Sequence, residues 1–163
     1  MQRDIIFHGE NFVFSYRVSG LLFREGKVLL QRATGSDFYV IPGGHVAFGE
    51  TTEETLVREF YEEMGAEITV RRLALIGENF FAWTDGMPCQ QISLYYEVAL
   101  ADERQIPLEG SFRAVDGMEG QLHPLEFCWI PLDRLREITL YPAAVAKELP
   151  SLPDGVKHFV VRE

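Results

Sequence analysis

The chain has 163 residues, 47% of them hydrophobic, the size and apolar content of one ordinary domain, so a single unit over residues 1–163 is expected. Its 25 Asp and Glu against 15 Lys and Arg give a net charge of −10, which argues against gripping a nucleic-acid backbone, since that takes clustered Lys and Arg. No apolar run approaches the roughly 20 residues of a membrane helix, and the N-terminal MQRDIIFHGENF lacks a basic region followed by an apolar stretch, so a cytoplasmic protein with no membrane partner is expected.

Residues 11–24 (NFVFSYRVSGLLFR) are rich in aromatic and apolar types and predict a strand, turned at Glu25-Gly26 into a partner strand over 27–32. A polar loop over 34–37 precedes a short strand over 38–41, halted by Pro42, which has no amide hydrogen to give a ladder. Residues 67–76 alternate and continue as strand to Trp83. Asp85-Gly86 turns the chain, and 90–100 returns, which predicts a long antiparallel hairpin. Residues 102–124 are weakly patterned and expected to form a loop over a cleft or an edge. A strand over 125–130, a short helix from Pro131 and Asp133 through Arg136, a second over 142–149 and a final strand over 156–161 complete the chain. Strands on both sides of one long helix, with helices near the end, predict an α/β fold with a mixed β-sheet between helical layers. Cys89 and Cys128 lie far apart and the four histidines are scattered, so no zinc site is suggested.

The distinctive stretch is 43–66, GGHVAFGETTEETLVREFYEEMGA. Thr51 followed by Glu54 has the spacing of a capping box, and Gly65 stops the helix by entering the left-handed conformation without a Cβ clash. At about 100° per residue, Glu59, Glu62 and Glu63 share one arc, while Leu56, Val57, Phe60, Tyr61 and Met64 fill the neighbouring one. Clustered like charges three and four residues apart are locally unfavourable. Arg58 can pair with Glu54 or Glu62, but that leaves Glu59 and Glu63 facing each other. Hard divalent cations, which take oxygen ligands, would offset that repulsion. The alternative is a merely solvated acidic face, since charged residues mostly meet water.

From Gly44 the chain reads glycine, five residues, Glu50, seven residues, Arg58-Glu59, an apolar Phe60, one residue, Glu62-Glu63, one residue, Gly65 and a small apolar Ala66. This spacing resembles the signature of the Nudix hydrolase family in every fixed position. Phe60 and Ala66 stand where aliphatic residues are commoner. The segment Glu78-Asn79-Phe80-Phe81 resembles one found in a subset of bacterial, MutT-like members.

The resemblance implies a Nudix-type α/β/α sandwich and Mg²⁺-dependent hydrolysis, with Mn²⁺ as a substitute, of a pyrophosphate linkage. The expected substrate is a small-molecule nucleoside diphosphate joined to another moiety. Carried over residue by residue, Glu59, Glu62 and Glu63 are the expected metal ligands together with the Gly43 carbonyl. Arg58 orients a glutamate, and Glu62 is a further ligand or the general base. Glu50 makes a supporting contact, with Arg58 as a partner. Some relatives carry an acidic residue where this chain has Gln91, which cannot serve as an anion. Phe80 and Phe81 must face opposite ways on a strand, so one of them is a candidate to stack on a base. Arg104 and Arg113 are candidates for phosphate contact. Exposed strand edges and the aromatic hairpin point to a homodimer, as is common in the family. Two other readings fit the same residues: the same fold acting on a non-nucleotide diphosphate, and a sensing module without catalysis.

Overall fold

The longest alternating stretches form the longest strands. In the computed structural model, which describes residues 3–108, 111–113 and 125–163, the first half of the chain gives β1 (Ile6–His8), β2 (Val13–Arg24), β3 (Lys27–Ala33), β4 (Phe38–Val40), β5 (Gly43–His45) and helix α1 (Thr52–Met64). The second half gives β6 (Ile68–Ala82), β7 (Pro88–Leu100), β8 (Ser111–Arg113), β9 (Leu125–Pro131), β10 (Thr139–Tyr141), the short helix α2 (Ala143–Glu148) and β11 (Lys157–Arg162). The main path of the sheet runs β10-β4-β3-β2-β7-β6-β11. β2 is parallel to β7, β11 to β6 and β10 to β4, while β6 and β7 form the expected antiparallel hairpin, so the sheet is mixed.

The β2–β3 turn uses positive φ at both Glu25 (48°) and Gly26 (73°), as a two-residue hairpin turn with matching twist requires. Only Phe23↔Val28 and Arg24↔Lys27 pair beyond it. β3 then runs with β9 over seven positions, whereas β2 pairs with β5 through Arg17↔His45 and Ser19↔Gly43. The sheet therefore splays between β2 and β3, and β5 lies along the β2 side of the split.

Two cores sit on the two faces. Along β2, alternation sends Val18 and Leu22 to one side and Leu21 to the other. On the first side Leu56, Phe60 and Met64 of α1 meet Val18, Leu22, Phe127 and Trp129. Phe60 is fully buried and lies so near Gly20 that a Cβ there would come within 2.8 Å of its ring; burying such a side chain stabilises by about 1.5–3 kcal/mol. On the second side Val145 and Leu149, within and just past α2, meet Leu21, Leu30, Leu75 and Tyr95. The layers are those of the expected α/β/α sandwich.

Several expectations change. The packed face of α1 is a narrow stripe: Val57 and Tyr61, placed in the apolar arc by the periodicity, are 41% and 60% exposed, because one stripe of residues four apart suffices to face the sheet. Residues 43–45, read as a turn, form a strand. Part of the long loop expected over 102–124 is ordered by pairing, since Ser111↔Cys128 and Arg113↔Glu126 join β8 to β9. Residues 109–110 and 114–124 lie outside the described residues. The helix expected near 133–136 is a 3₁₀ helix, Leu132–Glu137.

Candidate functional site

Helix α1 is fixed at both ends by the residues that predicted it. Thr51 Oγ1 accepts from the Glu54 amide at 3.1 Å and the Glu54 carboxylate accepts from the Thr51 amide at 2.8 Å, closing the capping box. Gly65 ends the helix at φ 66°. Glu54 is thus committed to the cap and is not the partner of Arg58. That guanidinium instead donates from Nε and Nη2 to Glu50 at 3.0–3.2 Å, and from Nη1 to Glu59 Oε1 and Glu62 Oε2, each at 3.0 Å. Glu50 also accepts from Thr55 Oγ1 at 2.7 Å, and Thr55 in turn accepts from the Ala47 amide. One planar cation therefore binds the loop before α1 to its carboxylate face, a task suited to the fork of donors on Arg.

Glu63 is treated differently. It is 9% exposed, and its Oε2 has no hydrogen-bond partner among the described residues. Burial, and then the neighbouring Glu59 carboxylate, push its pKa up to about 8; Arg17 opposes this shift. Burial also raises Glu59, against the pull of Arg58. Gly44 lies against Glu59: a Cβ at position 44 would come within 2.4 Å of Glu59 Cδ, so only glycine allows the carboxylate to rest there. Among the described residues, no three Asp, Glu, His or Cys side chains converge on a single point, and the cation at the centre of the cluster is Arg58. The donor set nevertheless fits a divalent cation. It is made of carboxylate oxygens, it contains one buried oxygen without a partner among the described residues, and burial beside Glu59 raises the Glu63 pKa, a shift that a bound cation would reverse.

Beside β5 opens a pocket of about 720 Å³. Its floor is a polar patch in the middle of the sheet, where Ser19, Asn79 and Ser93 are all at most 4% exposed, and fully buried Ser15 bonds to the floor through Gln91. The register brings them together: Asn79 faces Gln91, Gln91 faces Ser15, Ser93 faces Arg17, and Arg17 faces His45. His45 Nε2 lies 3.0 Å from Ser15 Oγ, Ser15 Oγ donates to Gln91 Oε1 at 3.1 Å, and Gln91 Nε2 donates to Ser93 Oγ at 3.0 Å. Burial, then Arg17, lower the His45 pKa to about 4, so the ring is neutral near pH 7. Small floor residues leave the volume open, and Phe38, Phe81, Trp83 and Tyr141 supply aromatic walls. Arg17 lines this pocket and acts electrostatically on Glu63, and Gly43 of β5 packs on Ser19, so the pocket and the carboxylate face adjoin.

The structure thus gathers Arg58, Glu59, Glu62 and Glu63 at one place, with Gly44 against Glu59 and its neighbour Gly43 packed on Ser19. Phe80 and Phe81 both touch the pocket; the Phe80 ring carries the Arg162 guanidinium at 4.2 Å, while Phe81 tilts against Trp83 with 6.2 Å between centroids. Arg104 stands apart, because Asp102, two residues away, takes it in a bidentate pair on an exposed turn at 2.9 and 3.1 Å. The Arg113 side chain lies outside the described residues, although its backbone ends β8. Sequence reasoning missed Arg17, His45, Asn79 and Ser93. The signal available was polar residues within otherwise apolar strands, Arg17 and Ser19 in β2 and Ser93 in β7.

The ADP-ribose pyrophosphatase of Methanocaldococcus jannaschii is 39% identical over 59 residues, which is 34% of this chain and 35% of that one, so the chain matches only about a third of that relative's length. Among solved structures, the Mutator MutT protein of Bacillus halodurans has a TM-score of 0.61 at 19% identity, covering 90% of each chain. A UDP-X diphosphatase has a TM-score of 0.57 at 20% identity, covering 83% of this chain and 60% of that one. At these identities the likeness to the solved structures is one of fold. The model of the NUDIX domain matches residues 14–152, most of the sequence, and the chain belongs to that family.

Proposed function

We propose that the protein is a divalent-metal-dependent pyrophosphohydrolase acting on a nucleoside diphosphate linked to a further group. The observation that carries this reading is the buried Glu63 oxygen without a partner among the described residues, beside the Glu59 and Glu62 carboxylates and within the field of Arg17, which lines the aromatic-walled pocket. Glu59, Glu62 and Glu63, with the Gly43 carbonyl, would hold Mg²⁺, or Mn²⁺ in its place. Bound there, the metal would neutralise phosphate oxygens and acidify a coordinated water.

The chain's own residues divide the remaining work. Arg58 holds Glu59 and Glu62 in one orientation through a single nitrogen, and its contacts to Glu50 keep that nitrogen in place. Glu62, whose side chain is 31% exposed, is the carboxylate best placed to accept a proton from water. Gln91 takes no part as a base, since it is an amide engaged with Ser15 and Ser93. Water oxygen bonds to one phosphorus, the bond from that same phosphorus to the bridging oxygen breaks, the bridging oxygen leaves with the other phosphate, and the water proton passes to the base. The products are a nucleoside monophosphate and a second phosphorylated compound or inorganic phosphate.

The family likeness and the ADP-ribose pyrophosphatase relative support a substrate of this class, and the negative net charge supports a small ligand over a nucleic acid. We take residues 1–163 to be one such domain, because both cores are built on one sheet. A cytoplasmic location agrees with the finding that, among the described residues, no helix is long and apolar enough to cross a membrane. A homodimer remains part of the proposal: Phe7 and Phe12, both at least half exposed, are rings that a second copy could cover.

The test is phosphate or monophosphate release from a panel of nucleotide diphosphates, with and without Mg²⁺ or Mn²⁺. Wild type should turn over at least one compound only with metal. Glu59→Gln and Glu63→Gln should each lower kcat at least about a hundredfold while keeping a cooperative thermal transition. Near-normal turnover in both variants would remove the assignment.

A further inference from the structure

The pocket floor contains one side-chain amide that no group among the described residues meets in hydrogen-bond geometry. Asn79, on β6, is 4% exposed and lines the pocket, yet neither its side-chain oxygen nor its nitrogen has a hydrogen-bond partner among the described residues. Its neighbours are already engaged. Gln91, directly across the strand pair, spends its amide on Ser15 and Ser93. Burial pushes the Tyr95 pKa up to about 12, so its hydroxyl stays protonated; Ser93 and Asn79 both lie near enough to lower it, but the approach to Asn79 falls short of hydrogen-bond geometry.

A buried carboxamide with its donor and acceptor both idle is costly to an isolated protein, and such groups are rare enough in native structures to need a reason. Here the reason lies in what the amide faces. A carboxamide presents an acceptor beside a donor, and its complement is a planar edge carrying a donor beside an acceptor. Nucleobases have such edges, and Asn pairs bidentately with the N6 and N7 of adenine in this way. The aromatic walls suit a planar ring: Phe81 and Trp83 lie on the same strand end, and Phe38 and Tyr141 face in from elsewhere with ring centroids 5.4 Å apart. On the other side the floor reaches Arg17, which acts on Glu63, so a base at Asn79 would leave its phosphates directed toward the carboxylates.

We propose that Asn79 is the base-reading residue of this pocket, its carboxamide pairing with the donor–acceptor edge of a nucleobase, adenine first among them. The assignment deepens the hydrolase reading and rests on it for the phosphate end, but base recognition can be measured without any turnover. Asn79 does not touch the reacting atoms; it sets which substrate is held.

The experiment is calorimetric binding of AMP, GMP, CMP, UMP and ribose 5-phosphate to wild type, Asn79→Leu and Asn79→Asp, beside the hydrolysis panel. Wild type should bind its preferred nucleotide about ten- to a hundredfold more tightly than ribose 5-phosphate, and Asn79→Leu should lose most of that preference. Asn79→Leu should also match or exceed the thermal stability of wild type without ligand, because it removes an unpaired amide; a merely structural Asn79 would give the reverse. Asn79→Asp, which lacks the donor, should change the order of preference among bases. A second comparison needs no variant: purine riboside 5′-phosphate, which lacks the amino group, should bind wild type at least about tenfold more weakly than AMP if adenine is the preferred base. Equal discrimination in wild type and Asn79→Leu would overturn the proposal, leaving Asn79 hydrated by a buried water. Base-selective binding that depends on Asn79, in a protein silent across the hydrolysis panel, would uphold it while removing the hydrolase reading.

Discussion

The carboxylate face of α1 and the polar floor of the pocket solve opposite problems. On α1, charge is crowded into one short segment, Glu50 to Glu63, and one guanidinium answers most of it: Arg58 touches Glu50, Glu59 and Glu62 within eight residues of sequence. On the floor there is little charge, and the hydrogen bonds join residues as far apart as Ser15 and Gln91, 76 positions along the chain. The first region is stabilised against its own repulsion. The second keeps Asn79 unpaired in a space kept open by serines. On the proposed reading, fixed charge would lie near the reaction and unspent hydrogen bonds near the base, a division of labour in which one region would govern rate and the other selection.

The comparison breaks most readily at Arg58. Arg58→Met leaves three carboxylates, with side chains 12–31% exposed, to repel one another. Because these groups are partly hydrated, the expected cost is about 2–3 kcal/mol, below that of a fully buried pair, or a fall in Tm of about 5–10 °C. Turnover should fall by at least about a hundredfold, since both Glu59 and Glu62 lose their orienting donor. Thermal scans should show Mg²⁺ raising Tm more in the variant than in wild type, as a second cation takes over the neutralising role. An unchanged Tm in chelator would mean that the carboxylates do not depend on Arg58. Arg58→Lys restores the charge without the fork and should recover stability better than rate.

What could be read from the sequence follows the same division. The ends of α1, its carboxylates and the β6–β7 hairpin were legible because capping residues, a 100° period and strand alternation are local signals. The width of the apolar stripe was not: Val57 and Tyr61 share an arc with Leu56 and Phe60, and only the neighbouring sheet decides which residues are covered. The floor was illegible for a different reason. Its register depends on β2 leaving β3 to pair with β5 and β7, a choice between distant partners that no window of the sequence contains. Arg104 shows the converse case, a cation chosen by type alone whose local partner Asp102 no residue-type argument takes into account.

A smaller change separates rate from stability. Gly44→Ala places a Cβ where Glu59 Cδ rests, 2.4 Å away, with its oxygens at 2.6 and 2.8 Å. The obstruction is the end of a flexible side chain, so Glu59 can swing aside and the fold should survive with Tm within about 3 °C. The displaced carboxylate should cost about tenfold in kcat with little change in KM. A matched change on the floor, Ser93→Ala, removes the acceptor of Gln91 Nε2 and should raise KM more than it lowers kcat. If both variants changed the same parameter, the two regions would act as one.

The smallest effect is also the sharpest, because the two regions respond to pH with opposite signs. Glu63 has a folded pKa of about 8 against an ordinary 4.5, so between these values the folded protein holds a proton that the unfolded chain has released, and stability falls as pH rises. His45 has a folded pKa of about 4 against an ordinary 6.5, so between these values the unfolded chain holds the extra proton, and stability falls as pH drops. In metal-free buffer the two slopes oppose each other from about pH 4.5 to 6.5, and Glu63 acts alone from about 6.5 to 8, where roughly 1.5 kcal/mol should be lost. Thermal scans in chelator should therefore be nearly level through the acid window and decline above it. Glu63→Gln should abolish the upper decline. His45→Gln should unmask a rise in stability toward acid, because the Glu63 contribution is then unopposed. Saturating Mg²⁺ should remove the decline above pH 6.5 as well, since the ionised form of Glu63 is the one that binds the cation. A decline that survives both Glu63→Gln and Mg²⁺ would move the titrating group away from the carboxylate face.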